Sequence, residues 1–223
     1  MAKVYLSPSD QASNVYAYGN TTEAVQCGRI AEACRAALER SGVEVKVGHM
    51  ISMAQKCSES NAFGADLHVP VHTNAFNGKV MGTRMFCYSA GGKGMAACKA
   101  IFARLAPITP GESENIQVNA DYYEVRVPAA PTAYIECEFH DTVEGAKWIV
   151  ENTVLIGETI ARGICDYFGV KFVEKPKPVE PEKKDVLYRV QIGAYKIKAN
   201  AEKRQAEAKA AGFTDAFIVT VEQ

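Results

Sequence analysis

The segment Leu67-His68-Val69-Pro70-Val71 is a short, mostly apolar run that leads directly into His72-Thr73-Asn74-Ala75. A run of this length with branched side chains predicts a buried strand, and the polar side chains after it suit the rim of a sheet. Ala133–Cys137 is a second apolar run, and it carries the carboxylate of Glu136. We therefore predict two inner strands, with His72 in the loop that follows the first.

Strand-like and helix-like segments alternate outward from this pair. Strands are expected at residues 4–6, 43–47, 67–71, 83–88 and 133–137. Helices are expected from about residue 21 to Gly42, over residues 53–61 and 94–105, and from about Asp141 to Phe168. Such alternation predicts an α/β fold with a mostly parallel sheet and helices on both faces. In these sheets, functional sites lie at the carboxyl ends of the strands.

Composition limits the classes of protein to consider. The chain has 223 residues with 48% hydrophobic content, enough for one full core and a small appendage. Its 25 basic residues nearly cancel its 26 acidic ones, so no sequence-blind binding to nucleic acid or to an anionic membrane is expected. Because Met1–Leu6 runs straight into a strand-like segment, we expect no signal peptide, synthesis in the cytoplasm and no membrane insertion. The seven cysteines include no Cys-x-x-Cys pair and are predicted to be reduced core residues.

Glu23, His72 and Glu136 are the candidates for chemistry. Two carboxylates and an imidazole at the ends of strands and helices are what metal-assisted hydrolysis requires. Glu23 has an alternative interpretation, because Asn20-Thr21-Thr22-Glu23 has the spacing of a helix capping box. Glu136 is harder to explain structurally. A buried, unpaired carboxylate on an apolar strand costs several kcal/mol and so needs a metal, a proton or a partner.

With these residues in place, the chain resembles the zinc-dependent N-acetylmuramoyl-L-alanine amidases of the Amidase_3 family, from Val4 to about Phe172. His72-Thr73-Asn74-Ala75 is similar to the family's His-x-Asn-Ala segment, and Glu23 falls where the family's glutamate ligand opens the first helix. Residues 130–136 resemble the proline-led strand that carries the catalytic glutamate. Gly82-Thr83 and Tyr88-Ser89 are similar to its Gly-Thr strand that ends in Tyr-Ser.

The resemblance implies a mechanism and a partner. Zn²⁺ held by Glu23 and His72 would activate a water molecule, and Glu136 would act as general base and then as general acid. The bond cleaved would join the lactyl group of N-acetylmuramic acid to L-alanine in bacterial peptidoglycan. Asn74 would orient the substrate or the ligand loop, although a loop-capping role is also open.

One departure from the family concerns the third zinc ligand. The family has a histidine in an Asp-Pro-Gly-His turn, where this chain has Ser7-Pro8-Ser9-Asp10-Gln11. Asp10 is one replacement, since carboxylate oxygen is a zinc donor. His140 is the preferred one, because it follows Glu136 closely. His68 is a third option, although four strand residues separate it from His72, or roughly 13 Å.

The C-terminal part reads as a separate unit. Residues 174–185 are charged and proline-rich, which predicts a semi-extended linker. Residues 186–223 read as strand 187–194, helix 199–211 and strand 216–221, and they resemble the first half of a SPOR domain. So short a βαβ unit does not easily make its own core. Three roles for this unit remain open: pairing of two tails into a homodimer, binding to the cell wall, or none, if the segment is vestigial.

Sequence therefore predicts a peptidoglycan amidase with domains at 1–173 and 186–223. Without a signal peptide it would be a phage endolysin or an autolysin that acts on the wall after release. The competing hypothesis is a peptidoglycan-binding protein that has lost its zinc site and its activity. A zinc carboxypeptidase or other aminohydrolase on a related sheet is the third.

Overall fold

The computed structural model describes residues 1–113, 116–175 and 188–221, which fall into two units divided between residues 176 and 177. In chain order, the strands of the first unit are β1 (Lys3–Pro8), β2 (Glu44–Val47), β3 (Leu67–Asn74), β4 (Arg84–Cys87), β5 (Gln117–Val118) and β6 (Tyr134–Phe139). Its α-helices are α1 (Glu23–Arg40), α2 (Met53–Phe63), α3 (Lys93–Leu105), α4 (Tyr123–Arg126) and α5 (Val143–Phe168), and Ala106–Ile108 form a 3₁₀ turn.

The six strands form one sheet in the order β2-β1-β3-β6-β4-β5. All neighbouring strands are parallel except β4 and β6, which run antiparallel. The mostly parallel α/β fold predicted from the sequence is thus confirmed. Strands β3 and β6 are direct neighbours, so the two segments expected to carry His72 and Glu136 lie side by side.

The two faces of the sheet differ in composition. On one face, apolar residues of β1, β3 and β6 such as Leu6, Val69 and Ile135 pack with α1, α3 and α5 into the main core. Because strand side chains alternate between faces, Tyr5, His68, His72 and Glu136 lie on the other. There α2 and α4 cover part of the sheet, and the Tyr5 hydroxyl donates to Glu59 of α2. Helices therefore cover both faces, as predicted.

The close packing of α5 on α1 depends on a glycine. A Cβ atom at Gly157 would lie 2.5 Å from the Ile30 carbonyl oxygen and 2.6 Å from Ala33 Cβ, which leaves no room for a side chain. Helix α5 is 26 residues long and the longest in the described ranges. None of the described helices combines the length and apolar content needed to cross a bilayer.

Strands β3 and β6 continue further than their apolar runs. β3 extends through Asn74, so His72 lies within the strand and not in a following loop. β6 likewise extends to Phe139. The reason is their mutual pairing, which continues through His72 and Glu136 to Asn74 and Phe139, with a register shift in between. Strand β5 and helix α4 lie between the predicted helix 94–105 and the predicted strand 133–137, where neither element was predicted.

Two helix starts differ from the sequence prediction. Thr22 is the N-cap of α1 and makes no side-chain cap, and Glu23 is the first helical residue. The capping-box interpretation of Glu23 was therefore wrong, because a capping-box carboxylate belongs to the third residue of the helix. Helix α5 was predicted to begin at about Asp141; its N-cap is Thr142, whose side chain accepts a hydrogen bond from the Gly145 amide. The Asp141 carboxylate accepts instead from the amides of Phe76 and Gly78.

The C-terminal unit contains helix α6 (Lys198–Ala210), close to the predicted range, and Gly212 follows it with φ of +101°. The strands predicted on either side are not formed at residues 188–197 or 213–221. One helix with two flanking segments buries little: Tyr188, Val190 and Phe217 are all exposed. The predicted linker from residue 176 onward, and Leu187, lie outside the described residues.

Candidate active site

Glu23 reaches the sheet from the first turn of α1. The loop between β1 and α1 folds back on itself, and the Glu23 amide donates to the Asn14 carbonyl at 2.9 Å. The side chain is 1% exposed, with Oε1 lying 3.0 Å from His72 Nδ1 and Oε2 accepting from Asn14 Nδ2 at 2.6 Å. The structure thus brings together Glu23 and His72, two of the residues predicted to bind metal.

Glu136 joins this pair through strand register. His72 of β3 stands opposite Glu136 of β6, and parallel neighbours in register point to the same face. Glu136 is 9% exposed, and its Oε2 has no hydrogen-bond partner among the described residues. The ring of Tyr134, two residues earlier on the same face, stacks on His72 with centroids 4.8 Å apart. An orphaned carboxylate oxygen therefore lies beside a buried ion pair.

Burial and mutual charge shift the pKa values of all three groups. Burial raises the pKa of Glu136 to about 8, with Glu23 adding to the rise and His72 opposing it. Burial also acts to raise the pKa of Glu23, but hydrogen bonds from His72, Asn14 and Ser9 outweigh it and leave that pKa lowered. For His72, burial is outweighed by Glu23 and Glu136, and the pKa is raised. Without a metal, the site therefore holds a Glu23–His72 ion pair and, at neutral pH, a protonated Glu136.

His140 lies near this pair, where the charge of Glu23 acts on it, but it makes no hydrogen bond to either residue. Its Nδ1 lies 3.0 Å from the Thr73 hydroxyl, and its ring stacks on Tyr16 with centroids 4.9 Å apart. Burial lowers its pKa. Because β6 continues to Phe139, His140 lies beyond the strand, four residues past Glu136. The sequence prediction that His140 is the third ligand has no support in this geometry.

Asp10, the other replacement for the missing histidine, already has a cation. Its Oδ2 lies 2.6 Å from Lys56 Nζ, and its Oδ1 accepts from the Met50 amide at 3.0 Å. Lys56 is 2% exposed and also donates to the Pro8 carbonyl at 2.5 Å. Where the family has an imidazole, this chain has the partly exposed Asp10 paired with a buried lysine. Metal binding by Asp10 would first have to break it.

Asn74 makes only local contacts with its side chain in the described structure. Its Oδ1 accepts from the Ala75 amide at 2.8 Å, and its backbone carbonyl accepts from the His140 amide at 2.8 Å. The first contact is the capping role left open by the sequence. Among the described residues, no group accepts a hydrogen bond from its side-chain amide nitrogen.

His68 belongs to a different cluster. Its Nε2 lies 3.3 Å from Glu124 Oε1, and Cys57 is close to both. Sequence reasoning missed Cys57 and Glu124, since they stand in separate helices with no motif around them. The sequence did indicate that His68 shares a face of the sheet with His72, because strand residues four positions apart point the same way. In the described ranges, these are the only three His, Cys, Asp or Glu side chains whose donor atoms all lie within 4.8 Å of one another.

The Glu23–His72 pair supplies two ligands suited to a metal ion. A carboxylate and an imidazole with donor atoms 3.0 Å apart fit two positions around one small divalent cation. The unpartnered Oε2 of Glu136 would be free to accept a proton from a water molecule bound to such an ion. The described residues bring no third protein ligand to the pair.

The fold and the position of Glu23, His72 and Glu136 near the carboxyl ends of central strands in a mostly parallel sheet fit a hydrolase. The family model described as N-acetylmuramoyl-L-alanine amidase matches residues 9–166, more than half of the chain. The chain therefore belongs to the N-acetylmuramoyl-L-alanine amidase family and is a peptidoglycan hydrolase, as predicted. A second model, the SPOR domain, matches residues 171–222.

Relatives and solved structures agree with this assignment. The chain is 26% identical over 226 residues to the sporulation-specific N-acetylmuramoyl-L-alanine amidase of Bacillus subtilis (strain 168), covering 98% of this chain and 85% of that protein. The catalytic domain of CwlV, an amidase from Bacillus (Paenibacillus) polymyxa var. colistinus, has a TM-score of 0.68 at 16% identity and covers 77% of this chain and all of that one. Amidase AmiC2 of Nostoc punctiforme has a TM-score of 0.66 at 17% identity, covering 75% and 97%. The structural matches show that the fold is shared.

The raised pKa of Glu136 predicts a pH-dependent stability in metal-free protein. Between pH 4.5 and about 8 the folded state keeps a proton that the unfolded state has lost. The contribution of Glu136 to the free energy of unfolding therefore falls as pH rises through this window, by about 1.4 kcal/mol per pH unit, and is constant outside it. Urea denaturation with a chelator present should show that Glu136→Gln loses this decline. Glu151→Gln, at an exposed position of α5, should keep it. Parallel curves for wild type and Glu136→Gln would contradict the prediction.

Proposed function

We propose that this amidase hydrolyses the bond between the lactyl group of N-acetylmuramic acid and L-alanine with Glu136 as its general base, next to a zinc ion held by Glu23 and His72. The observation that carries the proposal is the unpartnered Oε2 of Glu136 beside the Glu23–His72 pair. A buried carboxylate that no protein group satisfies is costly, and such groups are retained where they serve chemistry.

Glu23 and His72 would hold the zinc ion, and Glu136 would transfer the proton. Bound zinc would supply Lewis-acid polarisation of the attacked carbonyl and of a water molecule. Glu136 takes a proton from the attacking water molecule while the water oxygen forms a bond to the carbonyl carbon. It then passes the proton to the alanine nitrogen as the carbon–nitrogen bond breaks. The pKa of about 8 belongs to the metal-free site. A bound divalent cation would lower it and leave the Glu136 carboxylate ionised at neutral pH, as a general base must be.

The surroundings of the pair fix how the ligands are presented. Asn14 and Ser9 hold the Glu23 carboxylate by hydrogen bonds, and Tyr134 stacks on the His72 ring. Tyr122 packs on Tyr134 with centroids 5.2 Å apart and is 37% exposed, so an aromatic wall extends from the site to solvent. We assign this wall and the Asn74 amide to binding of the sugar and the lactyl group, since aromatic faces pack well against sugar carbons.

The Lys56–Asp10 pair is the observation that favours the alternative, a peptidoglycan-binding protein without activity. A buried lysine beside the place of the third ligand opposes a second cation through charge repulsion. The amidase proposal accommodates this pair, because solvent and substrate oxygens would complete the coordination of zinc that has two protein ligands. The two functions differ in whether peptidoglycan is cut.

The biological setting follows from the relatives only as a proposal. Similarity to a sporulation-specific amidase of Bacillus subtilis supports an autolysin that acts on the wall after release from the cell. A phage endolysin would need the same chemistry.

The C-terminal unit is proposed to add wall binding and self-association. The match to a SPOR domain supports binding to peptidoglycan. The apolar side chains exposed on either side of α6, among them Val190, Ile192 and Phe217, support pairing of two tails into one sheet, which would bury them.

Cleavage products test the amidase proposal. Purified protein with Zn²⁺ should release free peptides that begin with L-alanine from sacculi and leave the glycan intact, as read by mass spectrometry. Glu136→Gln should cut the rate by roughly 10²- to 10⁴-fold, because it removes the proton acceptor. Glu151→Gln should cleave at the wild-type rate. Wall binding without cleavage would support the inactive alternative, and cleavage within the peptide would indicate a carboxypeptidase.

Pairing through the tail predicts a concentration-dependent mass. Light scattering of the full chain should approach twice the chain mass of 24.2 kDa. Phe217→Asp should give the mass of one chain, because the charge opposes burial of this exposed apolar position. Val154→Asp, at an exposed apolar position of α5, is the control and should behave as wild type. A wild-type protein of single-chain mass at all concentrations would rule out the pairing.

A further inference from the structure

We propose that Cys57, His68 and Glu124 form a second, structural site for a divalent metal ion of the zinc class. One donor atom from each lies within 4.8 Å of the others, and the three side chains come from α2, β3 and α4. His68 stands four strand residues from His72, roughly 13 Å along β3, so this site is separate from the Glu23–His72 pair. The inference does not depend on the proposed function.

The hydrogen bonding of the cluster is incomplete without an ion. His68 is fully buried, and its Nδ1 has no partner in the described structure. Its Nε2 contacts the Glu124 carboxylate, which would itself be a ligand. Buried polar atoms without partners are rare in folded proteins. A plain His–Glu pair explains one contact, but it does not explain why a buried thiol lies next to it.

The donor types select the ion. Thiolate, imidazole and carboxylate together suit zinc better than magnesium or calcium, which prefer oxygen ligands only. Three protein ligands leave one position of a tetrahedron for a water molecule.

Neighbouring groups hold the ligands in place. The Ser7 hydroxyl donates to Glu124 Oε1, and the ring of Tyr5 stacks on His68 with centroids 5.4 Å apart. Partners that orient metal ligands in this way are a regular feature of metal sites. Cys57 and Glu124 are 1% and 2% exposed, so the ion would enter as the chain folds.

A metal ion at this position would fasten α4 to the sheet. Helix α4 has four residues and directly follows Tyr122, which packs on Tyr134 in the aromatic wall. The cluster would thus connect the short helix on one side of the wall to β3, which carries His72.

Cobalt is the probe that separates the two sites, because a cobalt–thiolate bond gives a charge-transfer absorption in the near-ultraviolet and the Glu23–His72 pair includes no thiol. Refolding of the full chain with Co²⁺ should produce this band at one equivalent. Cys57→Ser should abolish it. Cys27→Ser is the matched control, since Cys27 is a buried cysteine close to Glu23, and it should keep the band, as should His72→Gln.

A second variant, Glu124→Gln, tests the same site if Cys57→Ser fails to fold. Glu124→Gln keeps the shape of the side chain and should weaken Co²⁺ binding at least tenfold, as judged by the same band, with an unchanged far-ultraviolet circular dichroism spectrum. The absence of a thiolate band in wild type would overturn the proposal. So would a band that persists in Cys57→Ser, or unchanged Co²⁺ affinity in Glu124→Gln.

Discussion

The parallel pairing of β3 with β6 is the constraint on which the site depends. It places His72 directly opposite Glu136, and the strict alternation of strand side chains turns both toward the same face. A slip of one residue would send either side chain into the apolar core. In the β1–α1 loop, the Asn14 carbonyl accepts from the Glu23 amide. This contact places Glu23, the first residue of α1, next to His72. Three segments far apart in sequence thus converge through backbone hydrogen bonds.

The cost of this convergence is electrostatic. Two carboxylates and an imidazole share a pocket from which most solvent is excluded, and the result is an ion pair and a carboxyl group that keeps its proton to about pH 8. A divalent cation here would favour the ionised form of Glu136, because its positive charge would offset the two carboxylates. The same face of the sheet carries the Cys57–His68–Glu124 cluster. This face of β3 therefore carries two histidines, His68 near the start of the strand and His72 near its carboxyl end.

Periodicity and composition predicted most of the N-terminal fold, and a sequence resemblance predicted the site in part. Apolar runs identified β3 and β6, and a parallel sheet implied that Glu136 and His72 would meet. Local spacing failed where long-range contacts decide. Glu23 looked like a capping residue, but the loop places it one position into the helix. His140 looked close to Glu136 in sequence, yet it packs on Tyr16. The contact of Glu124 with His68 could not be predicted from the sequence, because it depends on how α4 packs against β3. The strands predicted for the C-terminal unit are absent for another reason: an extended segment needs a partner strand, and residues 188–221 supply none.

The most direct test of the account is the position of a bound ion. Crystals grown with Zn²⁺ should show an anomalous scattering peak between the Glu23 carboxylate and the His72 imidazole, with the Glu136 carboxylate facing a water molecule bound to the ion. The same map for Glu136→Gln should keep the peak, because that residue is not a ligand in this account. If Glu23 and His72 remain hydrogen-bonded to each other with no ion between them at saturating zinc, the assignment of this pair as the metal centre is contradicted.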